Sequence, residues 1–250
     1  MIEPFFFAAN LFGVWRAAPD AETVWVLAPP FAEEEKSARR VLTEIALLFR
    51  SRGEASLLFS FRGQGDSGGD FASVSLDEWR ADLSSAIEEA VRRAPNATIR
   101  VLGVRLGASL ALQVASKRDD VTQLVLIEPL LSGRSFLSQQ LMRQKIRAQM
   151  TGEASAEPGV RTAQYEDLDG WPLGATLKSD LQRLDLGRES FDFKAQTRVF
   201  QVGPKPEVAL PLRALGEKLN APVEAVVIPP FWNLLDYCDS APLLDRLSGE

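Results

Sequence analysis

Apolar residues along this chain alternate between two spacings. Short, nearly continuous apolar runs are separated by segments that carry apolar residues at helical spacing, as at 33–50 and 106–117. Strands that alternate with helices form a mostly parallel sheet that is covered on both faces. The pattern therefore predicts an α/β domain. The short, nearly continuous apolar runs that predict its buried strands lie at 23–28, 56–61, 97–103, 121–127, 197–202 and 223–228.

The pattern changes at the start of the chain and again in its second half. Residues 4–9 and 11–17 are two apolar segments that are split by Asn10, which predicts a β-hairpin. Residues 130–190 contain a predicted helix at 135–150 and a polar stretch from Thr151 to Pro158, but no evident strand of the main sheet. We therefore expect a single domain over 1–250 with a small cap inserted at about 130–190.

Composition excludes several function classes. The net charge of −6 argues against nucleic acid and against anionic membranes as main partners. No apolar run reaches the length of a membrane span. The chain has no histidine and one cysteine, so no metal, haem or other cofactor is expected. The first residues lack the basic segment of a signal peptide, which favours a cytoplasmic protein. Oligomeric state is left open by the sequence.

The most informative local pattern is a strand, a turn and a helix around Gly103-Val-Arg-Leu-Gly107. It matches the Gly-x-Ser-x-Gly nucleophile elbow of α/β-hydrolases, except that Arg105 stands where the serine belongs. A Ser-His-Asp triad also needs a histidine base. The sequence thus predicts an α/β-hydrolase fold with a degenerate triad and no assignable catalytic residue. The plainer interpretation is an ordinary strand-to-helix turn with a solvated Arg105.

Topology places the other triad positions. The acid normally follows the strand at 197–202, where Glu207 is the nearest carboxylate. The base normally follows the last strand, where Phe231 and Trp232 stand and cannot act as bases. Cys238 and Ser109 are weak substitutes, because we expect the first at a helix start without a base and the second in packing.

The loop at 61–69, Phe-Arg-Gly-Gln-Gly-Asp-Ser-Gly-Gly, contains the Gly-Asp-Ser-Gly-Gly string of trypsin-like proteases. Those enzymes are β-barrels that need a histidine, so we interpret the loop as structural. Its glycines permit positive φ and its polar groups hold the turn.

If the elbow survives, Arg105 emerges at the carboxyl edge of the sheet beside an acidic loop. A guanidinium in a cleft needs a carboxylate or an anionic ligand, because burial without a partner is costly. We therefore expect Arg105 to pair with Glu33 or Glu34, or else to hold a bound anion.

The same cleft contains the groups of a candidate ligand site. The Leu106 amide and the Phe31 region correspond to an oxyanion hole at a helix N-terminus, which favours negative charge. Phe31, Phe231 and Trp232 would add aromatic walls under the cap. The combination predicts a small ligand with an anionic head and an apolar or sugar-like body. The alternative is that these aromatic residues fill the vacated cavity.

Beyond the superfamily, the chain resembles the exosortase A system-associated hydrolases of the second type, a family of bacterial exopolysaccharide gene clusters. That resemblance implies an accessory protein of exopolysaccharide export and an arginine shared at the elbow, but it implies no substrate. Pro29 stands where such relatives carry histidine. The matching stretches are Glu3-Pro-Phe-Phe-Phe, Pro30-Phe-Ala-Glu-Glu34, Gly65-Asp-Ser-Gly-Gly-Asp-Phe71, Gly103-Val-Arg-Leu-Gly-Ala108, Glu128-Pro-Leu-Leu-Ser-Gly133, Gly170-Trp-Pro-Leu and Pro229-Pro-Phe-Trp232.

These observations favour a non-catalytic protein that binds a ligand or a partner in the former active-site cleft. One alternative is an esterase-like hydrolase of unconventional mechanism. A second alternative is a scaffold that acts only through its surface.

Overall fold

The computed structural model describes residues 1–8, 10–151, 165–168, 170–192, 194–234 and 236–249. The predicted polar stretch that follows Thr151, up to Pro158, lies outside these residues.

An eight-stranded sheet forms the centre of the described chain, in the order β1-β2-β4-β3-β5-β6-β9-β10. The first two strands are the predicted hairpin and run antiparallel, and all pairs from β4 through β10 are parallel. The sheet strands are β1 Ile2–Phe7, β2 Leu11–Arg16, β3 Thr23–Ala28, β4 Ala55–Phe59, β5 Thr98–Val104, β6 Val121–Ile127, β9 Gln196–Gly203 and β10 Val223–Val227.

Helices cover both faces of this sheet. Helices α1 and α7 pack on one face, where Trp25 of β3 stacks on Phe49 of α1 with 4.4 Å between ring centroids. Helices α2 and α3 pack on the other face, around the fully buried Trp79. The helices are α1 Glu33–Ser51, α2 Leu76–Arg93, α3 Leu106–Ala115, α4 Gly133–Thr151, α5 Ala175–Arg183, α6 Leu210–Leu219 and α7 Ala241–Ser248.

A capping box starts α2. The Ser75 hydroxyl accepts the backbone N–H of Glu78, and the Glu78 carboxylate accepts the backbone N–H of Ser75. Each of these bonds satisfies a donor that the first turn of a helix leaves open.

The glycine-rich loop after β4 is structural, as predicted. Gly63, Gly65 and Gly69 have φ values of 74°, 54° and 102°, in the region that favours glycine. Arg62 donates from Nε and Nη2 to the buried carboxylate of Asp82 on α2. The Ser67 hydroxyl donates to the carbonyl of Ser60. These bonds fix the loop to the core.

Between β6 and β9 the chain inserts α4, a two-stranded antiparallel sheet and α5, which we call the insertion. Its strands are β7 Tyr165–Leu168 and β8 Trp171–Gly174. The sequence pattern did not reveal this hairpin, because four-residue strands are too short for a clear alternation. Phe136 of α4 contacts Phe31 with 5.4 Å between ring centroids, so the insertion lies over the carboxyl edge of the sheet.

Gly107 lies at a close approach between two backbone segments of the described core. A Cβ atom there would lie 2.3 Å from the Pro29 carbonyl oxygen and 2.4 Å from that of Ala28. We expect Gly107→Ala to destabilise the protein by about 1–3 kcal/mol or more, because backbone on both sides must move. Gly203→Ala is the control, since nothing lies within 4 Å of its Cβ position; its effect should stay within about 0.5 kcal/mol. Urea unfolding measures both, and equal losses would contradict the close approach.

Candidate active-site region

Arg105 stands at the turn between β5 and α3, in the conformation that the elbow requires. Its φ is 56° and its ψ is −119°, which is strained for a residue with a side chain. Its backbone N–H donates to the Ile127 carbonyl at 2.9 Å, which ties the turn to β6. Gly103 has no room for a Cβ atom, because the α3 backbone at Ala108 would lie 2.5 Å away. The predicted elbow is therefore present, with an arginine at its tip.

Backbone strain recurs at neighbouring strand ends. Ala32, beyond β3, has φ 50° and ψ −122°, and Glu128, directly after β6, has φ 45°. With Arg105, three non-glycine residues at the carboxyl edge of the sheet adopt positive φ. Such outliers cluster at active sites and ligand sites, where surrounding structure maintains them. The carboxyl edge therefore carries three of the seven non-glycine residues with positive φ in the described chain.

The Arg105 side chain is turned inward and is only 11% exposed. Its Nη2 and Nε atoms each lie 3.4 Å from one oxygen of the Glu34 carboxylate. The guanidinium also lies over the Trp232 ring, with 5.0 Å from Cζ to the centroid, and 5.9 Å from the Phe136 ring. The expectation of a pairing with Glu33 or Glu34 is confirmed for Glu34. The plainer interpretation, a solvated Arg105, is wrong.

Glu34 connects the elbow to the insertion. Burial raises the pKa of its carboxyl group above 4.5, and the charge of Arg105 opposes this shift. Gln140 of α4 donates to the same carboxylate at 3.3 Å. Glu34 thus has one partner at the elbow and one in the insertion.

The Glu33 side chain points away from Arg105, unlike that of Glu34. It is half-exposed, pairs with Lys36 at 3.2 Å and accepts the Trp171 indole N–H at 3.4 Å. Successive residues of a helix point about 100° apart, so only one of the two carboxylates can reach the elbow.

The two amides expected to form an oxyanion hole are both at the carboxyl edge. Within the described residues, the backbone N–H groups of Phe31 and Leu106 donate no hydrogen bond. Both residues are nearly fully buried. The next amide, that of Ala32, donates to the side chain of Gln64 in the glycine-rich loop. The Gln64 amide nitrogen is itself buried without a partner in the described chain. The region therefore keeps several unused donors.

The aromatic residues predicted as cleft walls are buried. Phe231 and Trp232 form a short 3-10 turn after β10 with 4.9 Å between ring centroids. Phe231 is 1% and Trp232 is 4% exposed. Phe31 packs among Phe71, Trp79 and Phe136. Trp232 and Phe136 contact Arg105, and Phe31 packs on Phe136, so these aromatic side chains lie beside the buried Arg105–Glu34 ion pair.

The structure adds a carboxylate that topology did not predict. Glu207 lies exposed on the loop after β9, as a surface carboxylate. Glu128 instead accepts the Val202 N–H at 2.8 Å, at the end of β9. Burial raises the pKa of Glu128, and the charge of Arg105 opposes the shift. The signal in the sequence was its position directly after the strand at 121–127.

Neither substitute nucleophile is placed for catalysis. The Ser109 hydroxyl is fully buried and donates to the Leu130 carbonyl at 2.9 Å, so it serves packing as predicted. Cys238 is buried, and burial raises its thiol pKa, which disfavours the reactive thiolate. It precedes α7 by three residues, so the expectation that it starts a helix is wrong.

The eight-stranded sheet, its flanking helices and the elbow define an α/β-hydrolase fold. The sequence profile of the serine aminopeptidase S33 family matches residues 35–227. The chain belongs to this family. A search of curated protein sequences finds no match.

Solved structures agree on the fold. The Pyrococcus furiosus esterase Pf2001 is 13% identical, with a TM-score of 0.64 over 92% of this chain and 82% of that one. Est1E from Butyrivibrio proteoclasticus, solved with ferulic acid, is 15% identical, with a TM-score of 0.61 over 98% and 95%. An alpha-beta serine hydrolase homologue from Coxiella burnetii is 18% identical, with a TM-score of 0.56 over 98% and 93%. At these identities the likeness establishes the fold alone.

The buried ion pair gives a stability prediction. Glu34→Gln removes the only ion-pair partner that Arg105 has in the described chain, so we expect a loss of about 3–5 kcal/mol in unfolding free energy. The double variant Glu34→Gln, Arg105→Met should recover most of that loss, because no buried charge is then left unpaired. Denaturant unfolding of Glu34→Gln, Arg105→Met and the double variant measures the coupling energy between the two positions. Additive losses would contradict it.

Glu128 gives a pH prediction. Its folded pKa is raised above 4.5, so the folded protein keeps this proton to higher pH than the unfolded chain does. Stability from this group therefore falls as pH rises from 4.5 through the folded pKa. Glu128→Gln lacks this dependence and should gain stability relative to wild type as pH rises across that window. The exposed Glu207→Gln serves as control. If the difference in unfolding free energy between wild type and Glu128→Gln does not change with pH, this assignment is contradicted.

Proposed function

We propose that this chain binds a small anionic ligand at the elbow and does not hydrolyse substrates through an acyl-enzyme. One observation carries the proposal: the strained elbow is kept while an arginine stands at its tip. Strain of this kind is lost easily unless the surrounding structure maintains it. The side chain at this position has changed from a nucleophile to a cation.

The absence of the usual chemistry follows from residue types. The chain contains no histidine, and position 105 has neither hydroxyl nor thiol. Removing the serine or the histidine of a triad costs about a million-fold in turnover, and the remaining rate enhancement comes from binding and the oxyanion hole. Ligand binding requires neither of these side chains.

The charges at the elbow favour an anion. The unused amides of Phe31 and Leu106 and the guanidinium of Arg105 are all donors, and Leu106 begins a helix. Both contacts between Arg105 and Glu34 are 3.4 Å, longer than the roughly 2.7–2.9 Å of a strong charge-assisted hydrogen bond. A carboxylate or phosphate with better geometry could therefore displace Glu34 from Arg105.

The biological setting that we propose is a bacterial exopolysaccharide system, in which the chain is a cytoplasmic accessory protein. The support is the resemblance to the exosortase-associated family, including Glu128-Pro-Leu-Leu-Ser-Gly133 and the elbow arginine. Uronic-acid sugars and acyl phosphates are then suitable ligand classes. Among the described helices, none is both long and apolar enough to cross a membrane.

Competition between Glu34 and the ligand makes the binding proposal testable. Acetate, acetyl phosphate and glucuronate are titrated by calorimetry against wild type, Arg105→Met and Glu34→Gln. We expect at least one of them to bind wild type, to bind Glu34→Gln more tightly because Arg105 is released, and to lose tenfold or more in affinity with Arg105→Met. Arg188→Met, at an 88% exposed side chain, is the control. Equal binding by all four proteins, or none by any, would favour the surface scaffold.

An esterase-like hydrolase of unconventional mechanism is the second candidate. Family membership and the esterases among the structural neighbours favour it over the binding role. Glu128 has a raised pKa and directly follows β6, at the edge of the sheet that would hold substrate. It could act as a general base toward water.

Activity measurements separate the two candidates. Without an acyl-enzyme, a fluorophosphonate probe should not label the protein, and nitrophenyl esters should not turn over above background. If hydrolysis is found, Glu128→Gln should abolish it and Glu207→Gln should not. Robust turnover of this kind would replace the binding proposal with the hydrolase.

A further inference from the structure

The insertion contains a pocket of its own, separate from the elbow and open to solvent on one side. It has a volume of about 90 Å³ and lies between α4, the β7–β8 hairpin and α5. Its apolar wall consists of four leucines, three of which are at most 5% exposed. These are Leu137, Leu141, Leu168 and Leu173. An apolar wall of this kind can accept an apolar group.

The rim of this cavity is charged. Arg134 and Lys178 line it together with a single carboxylate, Glu166, which pairs with Lys178. Arg134 is exposed and makes no ion pair or hydrogen bond within the described residues. The rim therefore has an excess positive charge and one unused guanidinium, whose fork geometry matches a carboxylate.

From this combination we infer that the cavity binds a short-chain carboxylate, with its alkyl chain among the four leucines and its carboxylate on Arg134. A cavity of about 150 Å³ holds the six carbons of benzene, so by proportion one of about 90 Å³ holds about four carbons. The site lies beyond the proposed function, because none of the residues at its wall or rim contacts Arg105.

Chain length and charge test the inference together. Straight-chain carboxylates from two to eight carbons are titrated against the whole protein and followed by ligand-observed NMR. Each added methylene should tighten binding about fourfold until the cavity is full, after which affinity should level off. The matching alcohols should bind more weakly. No saturable binding of any chain length would overturn the inference, as would equal binding of acids and alcohols.

Variants locate the site. Ser138 is exposed and lines the cavity, so Ser138→Trp should block it without disturbing the core and weaken binding at least tenfold. Met142→Trp is the matched control on the same helix, at a 60% exposed position outside the cavity. Arg134→Gln should remove the preference for acids over alcohols, whereas Arg183→Gln on α5 should keep it. Binding that survives Ser138→Trp would place the ligand elsewhere, and binding lost only with Arg105→Met would assign it to the elbow.

Discussion

The turn between β5 and α3 is the constraint on which this region depends. Gly103 and Gly107 lie so close to neighbouring backbone that a Cβ atom fits at neither position. This proximity fixes the start of α3 and forces the residue between strand and helix into positive φ. Whatever stands at position 105 is thereby directed over the carboxyl edge, where ligands bind in open α/β sheets. In a family named for a serine peptidase, that residue is an arginine.

An arginine at this point changes the electrostatics of everything around it. A serine is neutral and small, whereas a buried guanidinium needs a countercharge within hydrogen-bonding distance. Glu34 supplies that charge, and burial in turn raises the pKa of Glu34. Trp232 and Phe136 enclose the pair, and Gln140 links it to the insertion. At the elbow, a buried charge pair couples the sheet to the elements above it.

This arrangement explains how fold and chemistry diverge. The sheet, the elbow and the unused amides are the parts of a hydrolase that backbone geometry maintains. The nucleophile and the base of a serine hydrolase are side chains, and this chain has an arginine at the elbow and no histidine. A family assignment rests mostly on the first set, whereas activity requires the second. Binding at the elbow and hydrolysis by a carboxylate base are both consistent with the retained backbone geometry. The two functions differ in whether Glu128 contacts a substrate.

The sequence by itself determined the sheet, the hairpin and the elbow, because strand periodicity and the glycine spacing of the elbow are local patterns that residue order records directly. It also predicted that Arg105 would pair with a neighbouring glutamate, although it could not choose between Glu33 and Glu34. Only the tertiary structure decided that choice, because the orientation of α1 sets which carboxylate faces inward. It also decided the β7–β8 hairpin, the place of Glu128 and the cavity in the insertion. These depend on contacts between segments far apart in sequence, such as Gln140 with Glu34, which no local pattern encodes.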